Sequence, residues 1–415
     1  MMYQIGFTLY IFLFRLIALR HKKAKKMVQG HRNTWNVLQS DQLKDKHPIW
    51  FHAASLGEFE QGRPLIERIR KEQPDKTLLL TFYSPSGYEV RKNYEGVDQV
   101  LYLPFDTKHN VRRFLDAVQP EMVFFIKYEF WPNYLTQLKK RGIPTFLISG
   151  IFRDNQLFFR PYGGFYRRLL TSFHTLFVQN DASFKRLSDI GQGDKTVVAG
   201  DTRYDRVLDV KREAQSYEIM ETFQQEANRQ SSVLLIAGST WPEDEQILVP
   251  FINQQKQLRL VIAPHQIDEG HLKQIESQLN RKTLRYSRAN ADNITQAEVL
   301  LIDSFGMLSS LYRYGKIAYI GGGFGAGIHN TLEAAVYSIP VLFGPKHQKF
   351  NEARMLLEAE GGFCIKNETD FQTIMLHFLH SEADRQHAGD CAGRLVKQSS
   401  GGTDLIYNRL FDTKS

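Results

Sequence analysis

Short apolar runs that alternate with polar, helix-like stretches constrain the fold of this chain more than any other feature. The first seven runs occupy residues 49–54, 77–82, 99–103, 122–126, 145–148, 175–178 and 196–199. Segments with helical character, such as 110–118 and 133–141, separate them. Strands that are apolar along their whole length are typical of a parallel sheet covered by helices on both faces. The alternation therefore predicts an α/β fold built on doubly wound parallel sheets.

The pattern restarts after a polar interval, which predicts a second sheet of the same kind. Residues 205–230 are weakly patterned, and we interpret them as a helix plus a linker. Six further apolar runs occupy residues 233–237, 259–263, 299–302, 317–320, 340–343 and 363–365. The 415 residues also exceed what one hydrophobic core supports. We expect two Rossmann-like domains, 31–210 and 211–395, that face each other across a cleft, and a helix in 396–415 that returns to the first domain.

The composition narrows the class of protein. Hydrophobic residues make up 42% and charged residues 24% of the chain, as in ordinary globular proteins. Cys364 and Cys391 form no Cys-x-x-Cys pair, so we predict neither a disulfide framework nor a zinc site, and a reducing compartment. The net charge of +8 permits an anionic partner. Part of that charge lies in one cluster at 20–26 and no recognition motif accompanies it, so we expect no nucleic-acid partner.

The N-terminal segment is apolar and is followed by that basic cluster. Residues 3–19 are apolar except at Gln4, Gly6, Thr8 and Arg15. As a helix the segment would be roughly 25 Å long, a little short of the roughly 30 Å core of a bilayer. In one continuous helix a single face would hold Gln4, Thr8, Arg15, Lys22 and Lys26. The pattern favours a helix in the membrane plane as strongly as a spanning one, and an ordinary buried helix is the alternative.

The order of the two parts distinguishes this segment from a secretory signal peptide. The cationic cluster follows the apolar run, and no small-residue cleavage site is present. The positive-inside rule places the cluster, and the chain behind it, in the cytoplasm. We therefore expect residues 1–30 to be a membrane anchor with a basic flank.

A glycine-rich loop, residues 321–327, directly follows the apolar run 317–320 and precedes a predicted helix. Glycines let the backbone approach a ligand closely, and the helix start offers unpaired N–H groups. Glu333, one turn into that helix, has the chemistry to accept hydrogen bonds from a sugar diol. The loop lacks the spacing of the dinucleotide fingerprint and the lysine of a P-loop. It indicates a nucleotide-sugar site, with a tight turn capped by Asn330 as the alternative.

Acidic and basic residues also follow predicted strands in the first half. Glu58 follows run 49–54 and Glu129 follows run 122–126, so either carboxylate is placed for general-base chemistry. Glu58 and Glu60 point differently, and the alternative for each is a first-turn acid favoured by the helix dipole. We expect Pro64 in or near the first turn of that helix. Arg203 has the chemistry to grip an anion, or to pair with Asp201 or Asp205.

In the second half, four strand ends carry polar groups. Ser239 and Thr240 offer hydroxyls to a phosphate, His265 offers an imidazole, and residues 306–308 open a predicted helix. The glycine-rich loop is the fourth. Each of these segments, taken alone, is as consistent with an ordinary loop or helix cap as with a binding site. All four lie at strand ends of one predicted sheet, which favours a binding site. Metal-ligand motifs such as His-Glu-x-x-His are missing and the histidines are scattered, so we expect no metal and no cofactor.

Several motifs, in this order, resemble the Kdo (3-deoxy-D-manno-octulosonic acid) transferases of lipopolysaccharide biosynthesis, glycosyltransferase family 30. The matching segments are His52-Ala-Ala-Ser-Leu-Gly-Glu58, Glu129-Phe-Trp-Pro132, Ala263-Pro264, Gly306-Met-Leu308, His329-Asn-Thr-Leu-Glu333 and Pro340-Val-Leu-Phe-Gly-Pro345. The resemblance covers nearly the whole chain, including the N-terminal segment. No single motif is specific, but their combination is.

The resemblance implies a GT-B fold and an inverting, metal-independent transfer of Kdo from CMP-Kdo to a lipid A precursor such as lipid IVA, at the cytoplasmic face of the inner membrane. It implies that Glu58 is the general base, and that Glu129 and Arg203 stabilise the transition state. The segments it implies for contact with CMP are Pro264, His265, Gly306, Met307, Leu308, Asn330, Thr331, Leu332 and Glu333. An oxocarbenium-like transition state needs a base on one face and anion stabilisation at the departing phosphate, which agrees with the strand-end residues.

Two features depart from the family pattern. Many relatives carry Arg where this chain has His265, and the glycine run 321–327 is richer than the family pattern. Three other functions remain as alternatives: a GT-B enzyme or epimerase that uses a UDP- or GDP-sugar, a membrane-tethered binding protein with an inactive site, and a nucleic-acid binder. The first would not need the Glu58 loop, and the acids at 58 and 129 with Arg203 argue against the second.

Overall fold

The computed structural model describes residues 2–40 and 43–412, which divide into two compact units. Unit 1 comprises residues 1–206 and 400–415, and unit 2 comprises residues 207–399. Residue 1 of the predicted anchor, residues 41 and 42 of the predicted first domain, and residues 413–415 of the predicted terminal helix lie outside the described residues. The boundary between the units falls inside a helix, Arg203–Arg212, rather than in a linker.

Unit 1 contains a seven-stranded sheet in the order β3-β2-β1-β4-β5-β6-β7, with all neighbouring strands parallel. Its strands are β1 (Ile49–Ala53), β2 (Leu78–Phe82), β3 (Gln99–Tyr102), β4 (Met122–Ile126), β5 (Thr145–Gly150), β6 (Thr175–Val178) and β7 (Thr196–Val198). The strand order reverses between β1 and β4, and the crevice beyond such a switch point is where ligands bind in α/β sheets. The apolar runs predicted all seven strands to within two residues.

Helices cover both faces of this sheet. They are α1 (Met2–Ala18), α2 (Lys22–Gln39), α3 (Leu56–Glu72), α4 (Pro85–Arg91), α5 (Lys108–Val118), α6 (Pro132–Lys140), α7 (Gly164–Leu170), α8 (Asp181–Asp189) and α9 (Arg203–Arg212). Successive residues of β1 enter opposite cores: Trp50 packs with Phe125 on one face, and Phe51 stacks on Phe124 on the other. The prediction for Pro64 was wrong, because α3 begins directly after β1 and Pro64 lies in its interior.

Unit 2 repeats the architecture with the order β10-β11-β9-β8-β12-β13-β14, again parallel throughout. Its strands are β8 (Val233–Thr240), β9 (Leu258–Pro264), β10 (Thr283–Arg285), β11 (Val299–Leu301), β12 (Ile317–Ile320), β13 (Val341–Phe343) and β14 (Gly362–Cys364). The sequence did not predict β10, a three-residue edge strand with a single aliphatic residue. The switch point lies between β8 and β12.

The helices of unit 2 are α10 (Glu218–Arg229), α11 (Pro242–Gln254), α12 (Glu269–Gln278), α13 (Ala291–Ile294), α14 (Leu308–Leu311), α15 (Leu332–Ala335), α16 (Asn351–Glu358), α17 (Glu368–His380) and α18 (Glu382–Ser399). The interval 205–230 is therefore two helices, α9 and α10, rather than one helix and a linker. The buried residues Met220 and Phe223 hold α10 against unit 2.

The N-terminal segment forms two helices, not one. The helical structure is interrupted at residues 19–21. The single helix with a polar face from Gln4 to Lys26, which we expected, therefore does not form. The polar residues near the start of α1 contact unit 1 instead. Its exposed residues are mostly apolar, namely Leu9, Phe12, Leu13, Leu16 and Ile17, with Thr8 and Arg15 as exposed polar residues. Among the described residues, no helix combines the length and the hydropathy needed to cross a bilayer.

The helix α19 (Gly402–Phe411) packs against α3 in unit 1. Asp205 caps its N-terminus: the carboxylate accepts the N–H of Gly401 at 2.5 Å and the N–H of Thr403 at 2.8 Å. A Cβ on Gly402 would lie 2.3 Å from the carbonyl oxygen of Ala199, so only glycine allows this close approach. Asp205 thus fixes the helix rather than pairing with Arg203.

Candidate active-site residues in the two units

In unit 1, Glu58 lies in the first turn of α3, directly after the central strand β1. Its carboxylate accepts the backbone N–H of Ala54 at 2.6 Å, which holds it at the end of the strand. Burial, together with the nearby charge of Glu129, raises the pKa of Glu58 to about 7. The Ala54 hydrogen bond and the positive charge of Lys127 oppose that shift. A carboxylate with this pKa is both ionised and basic near neutral pH.

Glu60, the second acid of the same turn, has a different environment. Its carboxylate accepts a hydrogen bond from Arg91 at 2.8 Å and lies 3.6 Å from Arg63. Both oxygens are thus occupied by guanidinium groups on the outside of the helix. Glu58 and Glu60 therefore point differently and have different partners.

Glu129 follows β4, the strand paired with β1, and lies in a hydrogen-bonded chain. Its Oε2 accepts from Trp131 Nε1 at 2.6 Å and lies 3.1 Å from His52 Nε2. His52 is fully buried in β1, and its Nδ1 lies 3.1 Å from the carbonyl oxygen of Thr81. A ring nitrogen and a carboxylate oxygen at this distance must share a proton, because two lone pairs would repel. This series of hydrogen bonds, which begins at Thr81 in β2, fixes Oε2 of Glu129. Oε1 has no hydrogen-bond partner among the described residues.

Lys127 is a cationic neighbour that the sequence did not indicate. It directly follows β4 and adopts a left-handed backbone conformation, with φ of 66°. Non-glycine residues in this region are strained and concentrate at functional sites. Its charge lowers the pKa of Glu58, so it stabilises the ionised base.

Arg203, at the start of α9, forms a two-pronged ion pair with Asp201. The distances to Asp201 Oδ2 are 3.0 Å from Nε and 2.7 Å from Nη2. Of the two partners considered from the sequence, the structure selects Asp201. The pair fixes the plane of the guanidinium at the end of β7.

In unit 2, two buried acids at the start of α11 act as supports. Asp244 accepts hydrogen bonds from the N–H of Gly322 at 2.8 Å, the N–H of Trp241 at 2.9 Å and the hydroxyl of Tyr319 at 2.8 Å. One carboxylate therefore ties the end of β8 to the glycine-rich loop after β12. Burial raises the pKa of Asp244, and these donors oppose the shift.

The second acid, Glu245, explains Thr240. The Thr240 hydroxyl is fully buried and donates to Glu245 Oε1 at 2.9 Å, and Glu245 Oε2 lies 2.9 Å from His271 Nε2. Thr240 thus points into the core. Ser239 differs, because it is partly exposed and has a left-handed φ of 54°.

Packing accounts for three consecutive glycines of the loop. A Cβ on Gly321 would lie 2.2 Å from the carbonyl oxygen of Ser239, and one on Gly323 would lie 2.5 Å from the Cα of Gly344. Gly322 has a φ of 88°, which side chains disfavour. The loop therefore passes too close to its neighbours for side chains at these positions. In contrast, a Cβ on Gly325 would meet no atom closer than 3.7 Å.

Three aromatic rings stack at the ends of β8, β9 and the glycine-rich loop. The ring centroids of Trp241 and His265 are 4.6 Å apart at an interplanar angle of 22°, and those of His265 and His329 are 4.6 Å apart at 30°. Trp241 Nε1 donates to His329 Nε2 at 3.2 Å, so His329 carries its proton on Nδ1. Burial, together with the neighbouring His265, lowers the pKa of His329. His265, the ring that stacks on both of the others, is exposed.

The segment after the glycine-rich loop has an internal cap. Asn330 Oδ1 accepts the N–H of Leu332 at 3.1 Å, and Asn330 Nδ2 donates to Glu333 Oε1 at 2.9 Å. Leu332 and Thr331 are fully buried, and the Thr331 hydroxyl has no hydrogen-bond partner among the described residues. Glu333 lies in the first turn of α15, as predicted, although this helix has four residues.

The segment Gly306–Leu308 also precedes a short helix. Gly306 is exposed and has a φ of 87°. Met307 is buried, and its Sδ accepts a hydrogen bond from Ser304 Oγ at 3.0 Å. Leu308 packs toward Gly238, where a Cβ would approach it to 2.8 Å. Pro264 closes β9 and is buried. Within the described ranges 2–40 and 43–412, no three His, Cys, Asp or Glu side chains are arranged to hold a metal ion.

Comparison with known proteins points to one family. Residues 22–206 match a family model described as 3-deoxy-D-manno-octulosonic-acid transferase (kdotransferase). The chain is 25% identical to the 3-deoxy-D-manno-octulosonic acid transferase of Aquifex aeolicus, over 80% of this chain and 86% of the relative. It is 26% identical to that of Haemophilus influenzae, over 87% and 86%. These matches support membership of the Kdo transferase family.

The fold agrees with this membership. The UDP-GlcNAc 2-epimerase of Neisseria meningitidis, solved with UDP-GlcNAc, superposes with a TM-score of 0.61 over 88% of this chain and 100% of the epimerase, at 14% identity. That likeness concerns the fold alone. The relatives support a glycosyltransferase, and the two α/β units have a GT-B-like fold.

The sequence indicated the acids of unit 1 but not their partners. The structure brings Glu58 and Glu129 together at the ends of β1 and β4. His52 was part of a matched motif without a role, and Trp241 was not considered. His52 lies within the predicted strand 49–54 and Trp241 directly follows β8, and both strands border a switch point.

Proposed function

We propose that this chain transfers Kdo from CMP-Kdo to a lipid A precursor of the lipid IVA type, in lipopolysaccharide core biosynthesis. The observation that carries the proposal is Glu58, a strand-end carboxylate beside Glu129 with a pKa raised to about 7. An ordinary first-turn acid would be stabilised as an ion and would be a weak base. The raised pKa suits proton removal from an acceptor hydroxyl at neutral pH.

The proposed reaction is a single displacement that inverts the anomeric carbon. The acceptor oxygen forms a bond to that carbon while the bond to the CMP phosphate breaks, and the departing phosphate takes the electron pair. The acceptor proton moves to Glu58. The resulting transition state resembles an oxocarbenium ion, so fixed charges at the site lower its energy.

Two further groups of unit 1 are assigned to that stabilisation. Glu129, held through Oε2 by His52 and Trp131, presents Oε1 to the developing positive charge. Arg203, held by Asp201, is assigned to the negative charge of the Kdo carboxylate or of the departing phosphate. Neither assignment requires a metal ion.

Donor binding is assigned to unit 2. Ser239, exposed His265 and the amides of residues 306–308 are the groups for phosphate, and Glu333 accepts hydrogen bonds from the ribose diol. Thr240, Leu332 and Thr331 are buried and support the segments that contact CMP rather than touching it. The fold likeness to a UDP-sugar epimerase is compatible with a nucleotide in this position.

We place the protein at the cytoplasmic face of the inner membrane. The exposed apolar face of α1 and the basic residues that follow it support attachment to an anionic membrane surface. A lipid acceptor is presented at such a surface. Sedimentation of the protein with liposomes tests this placement. More protein should sediment with liposomes that contain anionic lipid than with liposomes that lack it.

The transfer itself is tested by one assay. Purified protein in detergent is mixed with lipid IVA and CMP-Kdo in the presence of EDTA, and the lipid product is weighed by mass spectrometry. A gain of one or more Kdo masses is expected. No gain with folded protein and verified donor would contradict the proposal, and the same assay with UDP- and GDP-sugars would then identify a different donor.

A further inference from the structure

A cavity of about 300 Å³ lies in unit 1 directly beside Glu129. Its walls are almost entirely aromatic, and Glu129 is its one charged lining residue. The lining comes from three places: the first turns of α1, the segment after β4, and the start of α7. Representative residues are Tyr3, Phe7, Glu129, Trp131 and Phe165.

The start of α1 is attached at this cavity by directional contacts. The Tyr3 hydroxyl donates to Asp106 Oδ2 at 2.8 Å, and Gln4 Nε2 donates to Asn133 Oδ1 at 2.6 Å. Phe7 lies edge-to-face against Trp131, with ring centroids 6.2 Å apart. Hydrogen bonds of this kind fix one orientation of the helix, which nonspecific apolar contact does not.

The docking point on unit 1 is rigid. Asp106 is buried and also accepts the N–H groups of Asn133 at 3.1 Å and Tyr134 at 3.0 Å, at the start of α6. The same carboxylate therefore fixes Tyr3 and the segment that follows Trp131. As a result, the wall formed by α1 and the wall formed by the Glu129 segment keep a constant separation.

The chemistry of the cavity selects a sugar ring over an acyl chain. Aromatic faces cover the apolar C–H groups of a sugar ring, and the hydroxyl groups of such a ring can lie beside the carboxylate of Glu129. An acyl chain would bury that carboxylate without a donor, which is costly. The volume is at the lower end of the roughly 300–1,000 Å³ range for small-molecule pockets, which suits one ring.

We infer that this cavity binds a sugar ring of the acceptor, and that α1 forms part of the acceptor site through Tyr3 and Phe7. The inference rests on the proposed glycosyl transfer and adds a location for the acceptor. The N-terminal helix then has two faces with two roles. Its inner face recognises the acceptor sugar, while its outer apolar face is exposed.

A matched pair of substitutions on α1 tests the inference. Phe7→Leu removes an aromatic wall, whereas Phe12→Leu makes the same chemical change at a side chain that is 59% exposed. The assay uses CMP-Kdo with two acceptors, lipid IVA in detergent and its fully deacylated, water-soluble disaccharide. Phe7→Leu should raise the KM for both acceptors about tenfold and leave the KM for CMP-Kdo unchanged. Phe12→Leu should stay within about twofold of wild type with the soluble acceptor.

Other outcomes separate the inference from the proposed function. Wild-type transfer with Phe7→Leu indistinguishable from Phe12→Leu would overturn the sugar site while leaving the transferase intact. Without wild-type transfer, saturation-transfer NMR with the deacylated disaccharide still decides: binding that Phe7→Leu weakens supports the site, and no binding overturns it. Should Phe7→Leu fail to fold, Tyr3→Phe keeps the ring but loses the Asp106 bond, and is expected to raise the acceptor KM severalfold.

Discussion

The two units place carboxylates at equivalent points, the switch points of parallel sheets, yet these carboxylates have different surroundings. In unit 1, Glu58 receives backbone hydrogen bonds from Ala54 and Ser55 and faces the like charge of Glu129. In unit 2, Asp244 receives three hydrogen bonds from neighbouring groups. The comparison teaches that the donors around an acid, rather than its place in the fold, decide whether it is a reactive group or a support.

The largest effect is expected from Glu58→Gln. The amide still accepts the Ala54 N–H but cannot take a proton, so turnover should fall by about 10²–10⁴-fold. The Kd for CMP, measured by calorimetry, should stay unchanged because donor binding is assigned to unit 2. Glu60→Gln is the matched control, since its carboxylate is paired with Arg91 and Arg63. Equal losses in the two variants would remove the distinction between these neighbouring acids.

Asp244→Ala tests whether the acid of unit 2 is a structural support. The substitution leaves two N–H groups and the Tyr319 hydroxyl without their acceptor, so the free energy of unfolding should fall by about 3 kcal/mol. Urea denaturation of the purified protein measures the loss, with exposed Glu243→Ala as the control. A variant with wild-type stability that had lost CMP binding would show that Asp244 is a ligand group and not a support.

The pH dependence of kcat/KM sharpens the role of Glu58. Its pKa is about 7, so activity should fall about tenfold per pH unit below that value as the base becomes protonated. Glu129→Gln removes the neighbouring negative charge. The acidic limb of the kcat/KM profile, where activity falls, should therefore move to lower pH. Because the folded-state pKa is raised, the stability linked to Glu58 is present at low pH and is lost as pH rises through 7. An unmoved limb in Glu129→Gln would mean that burial alone sets the pKa.

The smallest effects are expected from substitutions of Thr240 and Ser239, whose neighbouring hydroxyls in β8 are assigned different roles. Thr240→Val leaves Glu245 Oε1 without its donor and should lower the free energy of unfolding by about 1–2 kcal/mol, with the Kd for CMP within twofold. Ser239→Ala should do the opposite, with little change in stability and weaker CMP binding. Calorimetry and urea denaturation on both variants measure the pair. Weaker CMP binding in the Thr240 variant alone would reverse the assignments.

The sequence predicted the sheets and the acids for one reason. A buried parallel strand is apolar throughout, so the first polar residues after it mark the ligand-binding edge. Glu58, Glu129 and the glycine-rich loop were found this way. The edge strand β10 was missed because a strand at the rim of a sheet need not be apolar.

Contacts between distant segments were not predictable from one sequence. The stack of Trp241, His265 and His329 joins three separate strand ends, and nothing in their spacing indicates it. The same holds for Tyr3, whose partner is Asp106. A hydroxyl at a strand end can point inward or outward, and only the position of Glu245 decides the direction for Thr240.

The return of α19 to unit 1 has a consequence during synthesis. Ile406 and Tyr407 complete the hydrophobic cluster on one side of the unit 1 sheet, yet the ribosome makes unit 2 before it makes them. Throughout translation of residues 207–399, the nascent unit 1 presents an uncovered apolar surface to the cytosol. We expect chaperones to occupy that surface until Asp205 can cap the arriving helix.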